Sequence, residues 1–147
     1  MNEYLLILKS NLESLEKAQQ WLLISYDKCK QIDVTNNLSF DDLEALEALS
    51  SRFARLIDLL FQKVLRTIEE IELCSDGTLI DVIHRFQKRG FDIDEDRIRA
   101  MRGLRNLIAH EYIEELLHPM FSELISHVPY LNQLIQQTFT YTQRYLS

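Results

Sequence analysis

Two arginines, an asparagine, a histidine and a tyrosine crowd into one short run, Arg102-Gly103-Leu104-Arg105-Asn106-Leu107-Ile108-Ala109-His110-Glu111-Tyr112. A histidine near its ordinary pKa can move protons, and an arginine can neutralise phosphate charge in a transition state. Together they suit phosphodiester cleavage in RNA, where the ribose 2′-hydroxyl supplies the nucleophile and no metal is needed. On a helix advancing about 100° per residue, Arg102, Asn106 and His110 form one stripe, while Arg105 and Tyr112 share another. Asn106 can therefore reach His110 and orient its imidazole. Arg105 lies about 140° from His110 around the axis, so it needs its full length, a distorted helix end or a second copy of the helix to join the same site. An Arg-x4-His spacing alone is weak, because a decorated helix surface produces it more often than an active site.

The elements that must hold this run are helical. Only 3 Gly and 2 Pro interrupt 147 residues, and so few breakers favour long helices over sheets with frequent turns. From Asn2 to Gln31, Leu5, Leu8, Leu12, Leu15, Trp21, Leu22 and Cys29 approximate the 3–4 repeat of an inward stripe, which assigns Trp21 to the core. Asp33 to Leu38 is a turn-rich connector, and Ser39 stands as an N-cap ahead of Asp41 and Asp42. A second helix continues through Leu46, Leu49, Phe53, Ile57, Leu60, Val64, Ile68 and Ile71 to end near Cys74. After the break at Gly77, a short helix turns Leu79, Val82, Ile83 and Phe86 inward and stops at Gly90. The acidic run Asp92 to Asp96 opens a fourth helix with Ile98, Met101, Leu104 and Ile108 inward. The last helical region, His118 to Tyr145, keeps its apolar spacing through Pro129, where it either kinks or divides near Val128. The expected fold is all-α, an up-and-down bundle of four long helices with an additional short helix, residues 1–147 forming a single domain.

A 46% hydrophobic and 27% charged composition is that of an ordinary folded domain and excludes wholesale disorder. No apolar run approaches the roughly 18 to 20 residues of a membrane span, and MNEYLLILKS has no leader character; the expectation is a cytoplasmic protein with no membrane contact. Cys29 and Cys74 have no partner at metal-ligand spacing, so they read as free thiols. No metal and no cofactor are expected. The net charge of -7 opposes nonspecific nucleic-acid binding by the whole chain. Its distribution is uneven. Seven bases (Arg85, Lys88, Arg89, Arg97, Arg99, Arg102, Arg105) against four acids (Asp92, Asp94, Glu95, Asp96) make a local +3, compatible with a phosphate-binding surface or with a solvated helix face. Arg99 and Arg102 are candidate RNA phosphate contacts, although ion-paired or solvent-facing arginines are commoner there. His84 reads as a packed or solvent-tipped residue, His118 as a helix start and His127 as a helix flank, and Tyr130, Phe139, Tyr141 and Tyr145 as core or dimer packing rather than base-stacking groups.

The run Arg105-Asn106-Leu107-Ile108-Ala109-His110-Glu111-Tyr112 resembles the Arg-x4-His-x-Tyr signature of the HEPN superfamily, in particular its HepT-like toxin branch, without a gap and at the end of a late helix. Beyond those eight residues the resemblance is architectural. It implies a HEPN-like homodimer acting as a metal-independent RNase, the toxin of a bacterial toxin-antitoxin system, with paired motifs building a composite cleft at the dimer interface. Arg105 and His110 would be the catalytic pair and Asn106 a supporting group. Tyr112 would be the residue silenced by AMPylation, the transfer of AMP from ATP by a cognate MntA-type nucleotidyltransferase antitoxin. A bulky, negative nucleotide two residues from His110 would block the cleft and repel RNA phosphates. The competing expectation is a noncatalytic substrate-binding or regulatory partner of a minimal nucleotidyltransferase; a plain helical module whose polar helix end only fixes a dimer is a third.

Overall fold

The computed structural model describes residues 3–74, 76–110 and 114–146, except the side chains of 110 and 114–117. Their regular structure is all helical: α1 (Glu3–Cys29), α2 (Phe40–Asp58), a π-helical segment (Leu59–Val64) leading into α3 (Leu65–Ile71), α4 (Leu79–Lys88), α5 (Glu95–His110) and α6 (Glu114–Leu146). From α2 through α3 the chain is one continuous rod. Ser39 caps α2 as expected, its Oγ accepting from the Asp42 amide at 3.0 Å. Thr78 and Asp81 close a capping box on α4.

Leu56, Leu60, Val64 and Ile68 are buried at every fourth position, and so are Phe53, Ile57, Phe61 and Leu65. Each four-residue step overshoots an α-helical turn by about 40°, which would carry both columns off the core. The wider π segment absorbs the drift: the Leu65 N–H reaches back five residues to the Leu60 carbonyl. Beyond α3 the chain reverses at Leu73, a leucine with φ 60 and 91% exposure. The turn after α4 uses Gly90 at φ 97, where a left-handed backbone carries no penalty.

The core joins all the helices through one cluster, with Phe53, Phe61, Phe86 and Phe121 among its fully buried side chains. Burying each such ring contributes roughly 3 kcal/mol. α1 packs on α2, α3 and α6; α5 packs on α2 and α6; and α2 and α6 also touch each other. The section is therefore a rhombus, with α1 and α5 at its far corners. Arg52 reaches Ser25 Oγ, and Asn11 reaches Thr67, so α1 and the α2–α3 rod run antiparallel.

Two expectations need correction. Trp21 is 52% exposed, not core. The inward stripe at that level is Leu15, Gln19 and Leu22, and Gln19 is tolerated there because its amide donates to Asn132 Oδ1 at 2.6 Å. The final helix starts at Glu114 instead of His118 and runs unbroken past both prolines. Pro119 and Pro129 are exposed, so both rings sit on the solvent side of α6, away from the packed core. Close to Pro129, Arg97 of α5 donates to the Ser126 carbonyl at 3.2 Å and stacks on the Tyr130 ring at 4.6 Å. Among the described residues no helix is long and apolar enough to cross a membrane.

Candidate functional site

Ile98, Met101 and Leu104 are buried along α5 and fix how the helix presents its polar side chains. Arg105 follows Leu104 and turns toward α2. Its Nε donates to Asp58 Oδ1 and its Nη2 to Asp58 Oδ2, both at 2.7 Å. This is a side-on bidentate pair, with both partners about one-third exposed. Its hydrogen bonds and the adjacent negative charge raise the Arg105 pKa above the ordinary arginine value. Of the five N–H groups on a guanidinium, the pair uses two. The end-on edge, Nη1 with the second proton of Nη2, lies outside that pair. Asp58 is the last residue of α2, directly before the π segment.

Asn106 is exposed and Arg102 half-buried on α5. His110 is the last described residue of α5, but its side chain lies outside the described residues, as does the whole of Tyr112. Arg105 is thus placed together with Asp58, a residue that sequence reasoning did not pick. No spacing rule connects positions 47 apart. The available hint is an acid on the same rod as a four-residue apolar repeat, since such repeats force a π turn and π turns gather at functional sites.

The basic segment from Arg85 to Arg105 does not form a continuous cationic surface. Arg85 and Arg89 both turn onto Glu69, a carboxylate with no exposure, at 2.6 and 2.7 Å. Arg89 also holds Glu72 at 2.8 Å. The Glu72 carboxylate in turn accepts from the hydroxyls of Tyr141 and Tyr145. Burial raises the Glu72 pKa, but those two hydroxyls and Arg89 outweigh it, and the net shift is downward. Arg97 is occupied by Tyr130 and Ser126, and Arg105 by Asp58. Arg99 stays 57% exposed, 3.7 Å from Glu95, so Arg99 and Lys88 are the exposed cations of the segment, with Arg102 half-buried. Four of the seven bases, Arg85, Arg89, Arg97 and Arg105, thus make contacts between elements of the fold.

The remaining histidines separate clearly. His84 is half-exposed, 3.6 Å from Glu95. His127 is buried on α6, its Nε2 3.5 Å from Glu123 Oε1 but not aligned for a hydrogen bond. Burial lowers its pKa, and the nearby Arg97 charge adds to this against the opposing pull of Glu123. Cys29 is buried and Cys74 half-buried, both free. A groove of about 600 Å³ between the α4–α5 connector and α6, lined by Arg89, Phe91, Gln137, Tyr141 and Arg144, contains none of the motif residues.

No family model, curated protein or solved structure matches this chain.

Proposed function

We propose that the chain is a HEPN-like ribonuclease of the HepT type, an up-and-down four-helix bundle with an additional short helix, working as a cytoplasmic homodimer. The observation that carries this reading is the gapless Arg105-to-Tyr112 signature in the sequence, with Arg105 on α5 held side-on by Asp58. In the reaction, the ribose 2′-oxygen bonds to phosphorus as the bond to the 5′-oxygen breaks. His110 takes the 2′-hydroxyl proton, and a proton passes to the departing 5′-oxygen, given by the His110 of the second copy. Arg105 offsets the charge that builds on the phosphoryl oxygens. Asn106 supports His110 along the shared stripe, while Arg99 and Arg102 meet flanking phosphates. Tyr112 is the switch, closed by AMP from a cognate MntA-type nucleotidyltransferase.

The purified chain should cut RNA, and Arg105→Ala and His110→Ala should each lower the rate by two or more orders of magnitude. Unchanged cleavage in either variant rejects the assignment. A second reading is favoured by the inward pairing of Arg85, Arg89 and Arg97, which leaves few cations for RNA: a noncatalytic regulatory partner of a nucleotidyltransferase. Under it, the chain binds that enzyme and no RNA is cut at any concentration.

A further inference from the structure

α1 keeps a face that the other described residues do not cover. Leu8, Leu12, Leu15, Gln19 and Leu22 are buried on its inward side. Leu6 and Ile24, each 54% exposed, lie about five full turns apart and therefore share one azimuth, roughly opposite the buried stripe. Between them on the same face, within about 20° of that line, lie Glu13 and Lys17, both exposed. A core-directed helix has no use for two half-exposed aliphatic side chains at the crest of its solvent face.

We infer that this face is a self-complementary docking surface for a second copy of the chain, α1 against α1 in antiparallel orientation about a twofold axis level with Leu15. In that arrangement each residue meets the one equally distant on the other side of Leu15. Leu6 meets the second copy's Ile24, Glu13 meets its Lys17, and symmetry makes each contact twice. A parallel arrangement instead sets Glu13 on Glu13 and Lys17 on Lys17, which like-charge repulsion disfavours. Registry of apolar on apolar and of acid on base about one point is what an isologous interface requires.

α1 and α5 stand at opposite corners of the section, so this contact is separate from any site built by two α5 ends. It does not depend on the ribonuclease reading. If both contacts form, the chain assembles beyond two copies. A helix of this length is about 40 Å long, and a strip about 10 Å wide along it buries roughly 400 Å² per copy, about half the standard interface. The association is accordingly concentration-dependent, not permanent.

Charge exchange tests the registry. Glu13→Lys and Lys17→Glu should each weaken self-association about ten-fold in sedimentation velocity, and an equimolar mixture of the two variants should recover it, because both cross-pairs are then opposite in sign. Leu6→Cys and Ile24→Cys chains, mixed and oxidised, should link to each other. Neither should link to itself, since like positions lie about 27 Å apart along the axis. All four positions are exposed, so circular dichroism should match the parent. Variants that sediment like the parent, a mixture no better than its components, or a Leu6→Cys chain that links to itself would each overturn the proposal.

Discussion

Arg105 and Asp58 meet side-on through two 2.7 Å hydrogen bonds, joining the polar end of α5 to the final residue of α2 immediately before its π turn. The carboxylate occupies one edge of the guanidinium and leaves Nη1 outside the pair. If that geometry positions Arg105 for phosphate, Asp58→Ala should lower RNA cleavage by about 10- to 100-fold, the scale of a small misplacement of a catalytic group. The effect should fall on kcat more than on KM, with the thermal midpoint close to the parent's because the pair is surface-accessible. A large fall in the midpoint with kcat intact would make Asp58 a structural residue instead.

Acid should lower the protein's stability over two separate pH ranges. His127 is buried with its pKa below the ordinary 6.5, so below about that pH the unfolded chain takes up a proton more readily than the folded one, and stability declines down to the folded pKa. Glu72 has its carboxyl below the ordinary 4.5. Its contribution is complete above that value and is lost as pH falls through the depressed pKa. Urea midpoints from pH 8 to pH 3 should show both declines, and His127→Gln should remove the upper one alone.

Leu73 sits at φ 60 with 91% of its surface exposed. A left-handed backbone costs a leucine about 1 kcal/mol or more, and an exposed side chain recovers little of that. Leu73→Gly should raise stability by roughly 0.5–1 kcal/mol, read as a higher urea midpoint at unchanged slope. A lower midpoint would show that the side chain contributes more than its exposure suggests.

These cases mark what could be read from residues alone. The apolar columns of α2, α4 and α5 and the caps at Ser39 and Gly90 were legible, since burial and capping act over three or four residues. Trp21 is apolar in type but out of phase with the inward stripe: Gln19 holds the inward position, satisfied by an asparagine on a helix more than a hundred residues later. The basic segment is a related case. Its charge is plain, but the carboxylates that pair with Arg85 and Arg89 are Glu69 on α3 and Glu72 just past its end, and only the packing of α4 onto that helix reveals them. The Arg105–His110 spacing was visible from the start, whereas its Asp58 partner was not.

Coexpression with a minimal nucleotidyltransferase encoded beside the chain should add mass in whole AMP units to the purified protein. The additions should vanish in Tyr112→Phe and should abolish RNA cleavage in the modified parent. Additions that persist in Tyr112→Phe would move the modification to another residue.

The most direct test is the chemistry of the cut ends. The purified chain, incubated with a defined RNA, should yield a 2′,3′-cyclic phosphate on one fragment and a 5′-hydroxyl on the other by mass spectrometry. A single 2′-deoxy substitution at the scissile nucleotide should block the cut, and His110→Ala should give no such products. Fragments ending in 3′-hydroxyl and 5′-phosphate, cleavage that survives the 2′-deoxy substitution, or intact RNA at every protein concentration would contradict it.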